Sequence, residues 1–549
     1  MLDPTATAPA DEAFDDPLLI GSLLRSTLVV AAEREIVHEG RVRLTYRTWR
    51  ERVGRLASAL QACGIGPGDT VAVMDWDSHR YLECFFAVPM MGAVLHTVNI
   101  RLSPEQIRYT IDHADDAAII VHRDFVPMLE AIAPSLRARP RIITIDDGGP
   151  PLATTLETVG EYEVLLASAD ADFEFPALDE RTRATTFYTT GTTGEPKGVH
   201  YSHRKLVLHT LSVATAVGSA SGQGRFHRDD VYMPVTPMFH VHAWGIPYVA
   251  TLLGVKQVYP GRYEPAKLLR LIAEEGVTFS HGVPTLLHML LEHPDSAAVD
   301  LGRLKMVVGG SAMSRGLAAA ALARGIDAFA GYGMSETCPV LTVAHLDAAA
   351  LAAPPDEQIR LRCKTGRPLP LIDLRVADED LAPVPRDGST VGEVVVRAPW
   401  FTPGYLADRE RSNALWRGGW LHTGDLGHQD AAGYLQVTDR LKDVIKSGGE
   451  WISSLVLEDL ASRIEGVGEA AAIGVPDARW GERPLLLVVP AGGRDLGADA
   501  VRAHFERAVE RGEISRYAVP ERIEIVDAIA KTSVGKIDKK RLRTEWAGD

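Results

Sequence analysis

Short apolar runs alternate with helix-like segments through most of this chain, and that alternation narrows the folds open to it. Thr70-Val-Ala-Val-Met74 follows the turn Gly66-Pro-Gly-Asp69 and reads as a short buried strand. His79 to Val88 then carries helical spacing, and a further extended run is expected after His96. The beat recurs at Ala117–Val121, Arg141–Ile145, Val277–Phe279 and Lys305–Val308, with helical segments between. Continuous apolar strands separated by helices predict an α/β fold whose parallel sheets are covered on both faces. With 549 residues the chain holds three or four core-sized units, or lobes of one large domain. No internal repeat is present.

The pattern changes near Asp373. Leu374–Ala377, Gly392–Arg397 and Tyr434–Thr438 read as half-exposed antiparallel strands separated by turn residues. After Asp439 a compact terminal unit is expected. Its helix opens near Ser454, strands follow at Ala471–Val475 and Leu485–Val489, a charged helix covers Ala498 to Glu510, and a last strand covers Arg522–Val526. The expected division is therefore a lead over residues 1–16, a body over 17–438 and a small α+β unit over 439–549, hinged on Asp439 to Lys442.

Composition excludes several classes. The formal charge is 58 − 73 = −15, which argues against a nucleic-acid footprint or a polybasic membrane surface. Cys63, Cys84, Cys338 and Cys363 are far apart and form no CxxC pair, so they read as packed or free thiols in a reducing compartment. Met1 to Asp16, rich in Ala, Pro and Asp, lacks the basic start and apolar run of a signal peptide and reads as a disordered lead. The most apolar stretch, Val241 to Val255, contains His242, Trp244 and Pro247 and reads as buried core, with no membrane-spanning segment. A soluble cytoplasmic protein is expected.

The segment richest in chemistry is Tyr188-Thr-Thr-Gly-Thr-Thr-Gly-Glu-Pro-Lys-Gly198. Five hydroxyl residues, three glycines and a lysine in eleven positions form a loop of backbone N–H and hydroxyl donors suited to a polyphosphate. It is not a Walker loop, because Pro196-Lys197-Gly198 stands where GK[ST] is required. A Gly/Thr stretch alone could equally be a surface linker.

This loop resembles, almost residue for residue, the signature phosphate loop of the adenylate-forming superfamily: acyl-CoA synthetases, nonribosomal adenylation domains and luciferases. The likeness runs from about Leu44 to Leu542 with further motifs in order. The resemblance implies a multi-lobed body (two parallel-type α/β sheets plus a distorted antiparallel β subdomain) and a small mobile C-terminal domain. It assigns nucleotide contacts to Thr189, Thr190, Gly191, Thr192, Thr193, Gly194 and Lys197.

In Ala330-Gly-Tyr-Gly-Met-Ser-Glu-Thr337 an aromatic and a carboxylate share a Gly-rich turn, and oxygen ligands suit Mg²⁺. The resemblance places adenine against Gly331, Tyr332, Gly333 and Met334, Mg²⁺ on Glu336 with Thr193, and the α-phosphate on Thr337. Gly310 and Ser311, in Gly309-Gly-Ser-Ala-Met-Ser314, resemble the turn bordering the adenine and acyl pocket. The family often has Gln or Asn at the position of Ala330, and Pro at that of Ala530.

Alone, Thr423-Gly-Asp425 is a plain turn. The resemblance makes Asp425 and Arg440 ribose ligands and Lys536, in Lys531-Thr-Ser-Val-Gly-Lys536, the mobile catalytic lysine. Lys446, Gly448, Gly449, Glu450 and Trp451 fall in the stretch expected to meet nucleotide and coenzyme A.

The acyl wall is expected at Phe239, His240, Val241 and Trp244, where aromatic, imidazole and apolar groups suit a carboxylate with a hydrophobic body. His240 is also a candidate catalytic residue, although each of these side chains could simply fill core. A Trp at this position resembles the gate of the fatty-acyl branch. The expected activity is ATP-dependent acyl-CoA ligation through acyl-AMP with ATP, Mg²⁺ and coenzyme A, on a medium- or long-chain fatty acid. Alternatives are an aromatic or small branched acid, or loading of a carrier-protein phosphopantetheine. A homodimer is common in the resembling branch.

Overall fold

The computed structural model describes residues 12–14, 16–148, 150–189, 195–220, 222–447, 450–491, 496–532 and 537–546, apart from the side chains of Glu450 and Trp451. Most of the expected lead falls outside them; at its end Asp16 pairs with Arg25.

The alternation resolves into two large sheets. The first has seven strands, in the spatial order Thr158–Glu161, Arg141–Ile145, Asp116–His122, Thr70–Met74, Val94–Thr97, Arg183–Thr189 and Lys197–Ser202. All neighbours are parallel except the last pair. Every residue of Thr70–Met74 and Val94–Thr97 is buried, as parallel strands covered on both faces require. One expectation needs correction: the extended run begins before His96, at Val94, and ends at Thr97. The chain then turns into the helix Pro104–Ala114, because Ser103 caps it with a reciprocal Ser103–Gln106 box and Pro104 starts it.

The second sheet has nine strands. Its parallel centre runs Asp327–Gly333, Lys305–Val308, Phe279–Gly282, Val231–Val235, Lys256–Tyr259 and Glu35–His38. Antiparallel strands close both ends: Val340–Val343 and Arg367–Pro368 on one side, Val42–Thr45 on the other. The N-terminal hairpin thus joins a sheet whose other strands begin nearly two hundred residues later, which local periodicity could not foresee. The expected strand at Val277–Phe279 lies two residues further on.

The antiparallel unit pairs Asp373–Ala377, Gly392–Arg397, Leu421–Gln429 and Leu435–Arg440. Its last strand passes the expected boundary at Asp439 and ends at Arg440.

The small C-terminal domain is built on a hairpin longer than expected, Val467–Asp477 with Gly481–Pro490. Side chains alternate across a strand. Ala470, Ala472, Leu486 and Val488 therefore pack with Leu457, Leu460 and Phe505 on one face. Ala471, Ile473, Leu485 and Leu487 pack with Ile529 and Leu542 on the other. The helices Ser454–Ser462 and Ala498–Glu510 cover the first face, and Lys539–Trp546 the second. Among the described residues no helix is long and apolar enough to cross a membrane.

Because both faces are buried, Leu486→Ala and Leu487→Ala should each destabilise this domain by about 2–5 kcal/mol. Hydrogen exchange in the hairpin should accelerate for both; a sheet covered on one face would respond to only one.

Candidate active site

The carboxyl ends of parallel strands carry the chemistry-bearing segments. Pro237–Trp244 follows Val231–Val235, Gly309–Ser314 follows Lys305–Val308, and Met334–Thr337 follows Asp327–Gly333. The first sheet contributes Asp77 after Thr70–Met74, Thr97 at the end of its own strand, and Thr189 before the phosphate loop. In each sheet strand order reverses near these ends, the place where open α/β sheets leave a ligand crevice.

The expected phosphate loop connects two antiparallel strands. Thr189 pairs with Lys197 across antiparallel strands, so the two ends of the loop are fixed. Thr190, Gly191, Thr192, Thr193 and Gly194 lie outside the described residues, as do Gly448, Gly449 and Lys536. The Tyr188 phenol meets His113 Nδ1 at 2.8 Å, bracing the loop from the helix Pro104–Ala114.

The short turn Ser335–Thr337 is held at every carbonyl. The Tyr201 hydroxyl donates to Ser335 O at 2.6 Å, the Thr402 N–H to Glu336 O at 3.0 Å, and the Trp400 indole N–H to Thr337 O at 3.1 Å. These donors fix the backbone of the turn, and Glu336 is only 7% exposed. Its Oε1 accepts from the Tyr405 hydroxyl at 2.7 Å. Burial and this carboxylate push the Tyr405 phenol well above its usual pKa. Thr337 is fully buried, with its hydroxyl turned inward to the Pro339 carbonyl at 2.5 Å. The expected α-phosphate contact therefore does not use that hydroxyl as it stands here. Gly333 permits the turn, because a Cβ there would sit 1.9 Å from Pro339 O.

Asp425 is also buried, and its two oxygens are shared. Oδ2 accepts from the Tyr332 phenol at 2.5 Å, while Arg440 Nε lies 3.2 Å from Oδ1. Tyr332, Asp425 and Arg440, widely separated in sequence, are thus one contact group. Gly309 and Gly331 let the neighbouring strand ends approach, since a Cβ on Gly309 would lie 2.6 Å from Gly331 O. Gly310 has a left-handed φ of +82°, and Ser311 is exposed beside it. Lys446 is exposed on Ile445–Ser447, its N–H donating to Glu482.

The acyl-wall segment is pinned to the opposite sheet. Asp77 Oδ1 accepts the Met238 N–H at 2.8 Å, and the Thr97 hydroxyl donates to Phe239 O at 3.0 Å. Phe239 and Val241 are nearly inaccessible, His240 is half-buried and Trp244 is 7% exposed. Val241, His242, Ala243 and Trp244 all have positive φ, from 48° to 59°, so they form one turn of left-handed helix. That conformation costs roughly 1–2 kcal/mol per residue. It aims the Trp244 indole at His281, ring centroids 5.0 Å apart, with Gly309 beneath it. His242 sits among Phe85, Phe187 and Tyr248, and burial pushes its pKa down to about 3, so its ring packs as a neutral aromatic.

Among the described residues no three His, Cys, Asp or Glu side chains cluster as a metal cage. Glu336, a buried carboxylate linked through Tyr405 to Lys197 at the end of the expected phosphate loop, would fit Mg²⁺, which usually takes one or two protein oxygens plus phosphate and water.

Residues 25–406 match the family model described as AMP-binding enzyme, and residues 457–536 match the AMP-binding enzyme C-terminal domain. The chain belongs to the AMP-binding enzyme family. It is 40% identical to a long-chain-fatty-acid–CoA ligase of Thermus thermophilus over 97% of this chain and 96% of the relative. It is 37% identical to a 3-methylmercaptopropionyl-CoA ligase of Ruegeria lacuscaerulensis over 97% and 98%. In fold it is similar to a crystal structure of an anthranilate CoA ligase in complex with anthranoyl-AMP, with TM-score 0.84 and 23% identity, over 97% and 98% of the two chains.

Reading the sequence of this AMP-binding enzyme missed Tyr405, Asp77 and Thr97. Tyr405 had a weak signal, an aromatic at the end of the Pro403-Gly-Tyr405 turn. Asp77 had none, being one of two acids, with Asp75, in the short segment before a helix.

Asp77 gives a test. Burial pushes its pKa from 3.8 up to about 7, against the lowering effect of Tyr263, Met238 N–H and Arg101; Asp75 adds to the rise. A raised native pKa contributes stability below about pH 4 that is lost as pH rises through about 7. Between pH 5.5 and 8 the wild type should lose about 2 kcal/mol relative to Asp77→Asn, read from urea midpoints; parallel pH profiles would refute the shift.

Proposed function

We infer that this chain joins a carboxylic acid to coenzyme A by way of an acyl-adenylate. It is an AMP-forming acyl-CoA synthetase, an acid–thiol ligase that uses ATP, Mg²⁺ and coenzyme A. One observation carries the reading of the site: two buried carboxylates, Glu336 and Asp425, are each held by a phenol, and Glu336 shares Tyr405 with Lys197 at the fixed end of the Thr/Gly loop.

The proposed assignments follow. Thr189 to Lys197 wrap the triphosphate, donating N–H and hydroxyl groups to oxygens that gain charge as pyrophosphate leaves. Glu336, with Thr193, holds Mg²⁺, which when bound screens charge on the phosphates. Asp425 accepts the ribose hydroxyls once Tyr332 yields Oδ2, and Arg440 keeps that carboxylate oriented. The Tyr332 ring and the strand end Gly331–Met334 border the base, with Gly310 and Ser311 opposite. A carboxylate oxygen attacks the α-phosphorus, the phosphorus–oxygen bond to pyrophosphate breaks, and Lys536 offsets the charge at the reacting centre. The coenzyme A thiol, with a pKa of about 8.5, then attacks the adenylate carbonyl and AMP departs.

The two half-reactions need different groups beside one carbonyl, so we assign a rotation of residues 439–549 about Asp439 to Lys442. Asp439 supports a hinge here. It lies near the end of the last strand of the body and holds the N–H and hydroxyl of Ser454 at 2.6 and 2.8 Å at the entry to the small domain. Gly448 and Gly449, with Lys446, Glu450 and Trp451, are assigned to the pantetheine side.

The acid assigned is a medium- or long-chain fatty acid, with Phe239, His240, Val241 and Trp244 as its wall. The Thermus thermophilus relative, alike over nearly its full length, supports a long chain. A short acid is the second reading, favoured by the Ruegeria lacuscaerulensis relative and by the close packing of Trp244 on His281. Free cysteines throughout the described residues accord with a cytoplasmic location.

AMP release across acids from two to sixteen carbons, with aryl acids included, should peak at eight carbons or more; a peak below five would favour the short-acid reading. Free coenzyme A should outcompete a holo carrier protein as acceptor. Lys536→Ala should slow acyl-AMP formation by about 10²–10³-fold while sparing thioester formation from supplied acyl-AMP; equal loss in both halves would refute its role.

A further inference from the structure

Tyr405 touches both ends of the proposed metal–phosphate site, and no motif reading assigns it a role. Its hydroxyl donates to Glu336 Oε1 at 2.7 Å, and the Lys197 ammonium lies 4.8 Å from the centre of its ring. Glu336 and Lys197 are 139 positions apart, from 336 − 197, and arrive by separate strands. Tyr405 contacts both.

The placement of Tyr405 is built from backbone on both sides. Tyr405 bridges Val199, and the Leu406 N–H donates to Gly198 O at 2.8 Å, so the residue rides on the strand that leaves the phosphate loop. Its own N–H donates to Ser412 Oγ at 2.8 Å. Three residues earlier, the Thr402 N–H donates to Glu336 O, and the Thr402 hydroxyl to Gly404 O at 2.8 Å. Gly198 admits the approach: a Cβ there would lie 3.0 Å from Leu406 Cβ and 3.2 Å from the Tyr188 ring. These ties hold the phenol while leaving its hydroxyl and ring face for Glu336 and Lys197.

We propose that Tyr405 is a positioning residue that sets the carboxylate of Glu336 for the metal ion and the ammonium of Lys197 for the phosphates as one unit. The phenol occupies one carboxylate oxygen by a single hydrogen bond, which fixes the plane of the group and leaves its other oxygen available. The ring face attracts the ammonium without neutralising it, as a second carboxylate would. Loop cation and metal-binding anion, which attract each other, are thereby held apart by a neutral aromatic spacer and kept from collapsing into an ion pair.

The inference rests on Glu336 being the metal carboxylate, so the test separates the two claims. Mn²⁺ affinity is measured by electron paramagnetic resonance with α,β-methylene-ATP on wild type, Glu336→Gln, Tyr405→Phe and Tyr405→Leu. Glu336→Gln should abolish tight Mn²⁺ binding; if it does not, the metal assignment itself fails. Tyr405→Phe, which keeps the ring, should weaken Mn²⁺ by about 10-fold, the lower end for loss of a partner that orients a metal ligand. Its KM for the acid should stay unchanged, and raised Mg²⁺ should restore kcat. Tyr405→Leu should in addition weaken binding of the nucleotide in EDTA by a few-fold, because the ring face is gone. With Glu336→Gln impaired, Mn²⁺ affinity of Tyr405→Phe within about 2-fold of wild type would overturn the proposal, as would tighter binding, which would mark the phenol as an obstruction. Backbone ties of residue 405 do not depend on its side chain, and matched circular dichroism and melting confirm that each variant is folded.

Discussion

A carboxylate taken out of water must be given hydrogen bonds or a counter-charge, or its burial costs several kcal/mol. Glu336, 7% exposed, imposes that demand on the centre of this molecule. The answer is assembled from distant parts of the chain. Tyr405 supplies a hydroxyl to the side chain, Thr402 an N–H to the carbonyl, and Tyr201 and Trp400 hold the residues on either side. Asp425 repeats the arrangement with Tyr332 and Arg440. Each carboxylate thus has one oxygen satisfied by a neutral phenol, a partner that can yield that oxygen to a ligand, while Asp425 keeps Arg440 on its other oxygen.

The second constraint is the seam between the two large sheets. Segment 237–240 leaves a strand of one sheet and is tied by Asp77 and Thr97 to strand ends of the other. Phe239 and Val241 accordingly belong to the hydrophobic core of the first sheet, whereas Trp244 packs with that of the second. The left-handed turn between them turns the chain from one core to the other within four residues, which accounts for so costly a backbone at that point. A seam fixed in this way would let the proposed acyl wall and phosphate loop keep their spacing during the proposed rotation of the small domain.

Much of this was legible in sequence. Strand–helix alternation gave the parallel sheets, because strands covered on both faces must be largely apolar, and the helix Ala498–Glu510 of the C-terminal unit was readable to its bounds. What was not legible depends on contacts between distant residues. The hairpin Glu35–Thr45 resembles any local hairpin until Ile36 is seen paired with Gln257. Tyr405 and Asp77 carry no spacing signal, since each acts on a partner more than sixty residues away. Thr337 shows the converse: the motif named the residue, and the fold turned its hydroxyl onto Pro339 O. Charge behaved similarly. A net of −15 argued only against a nucleic-acid footprint or a polybasic membrane surface. It left open the local cations that the proposed nucleotide site uses, Lys197 beside Tyr405 and Arg440 beside Asp425.

The central claim is that the acid is activated by attack of its own oxygen on the α-phosphorus of ATP. Reaction of a fatty acid labelled in both carboxylate oxygens with ¹⁸O, in the presence of ATP and coenzyme A, tests it directly by mass spectrometry of the products. The account predicts one ¹⁸O atom in the phosphate of each AMP and none in pyrophosphate. Unlabelled AMP, or label in pyrophosphate or inorganic phosphate, would contradict it.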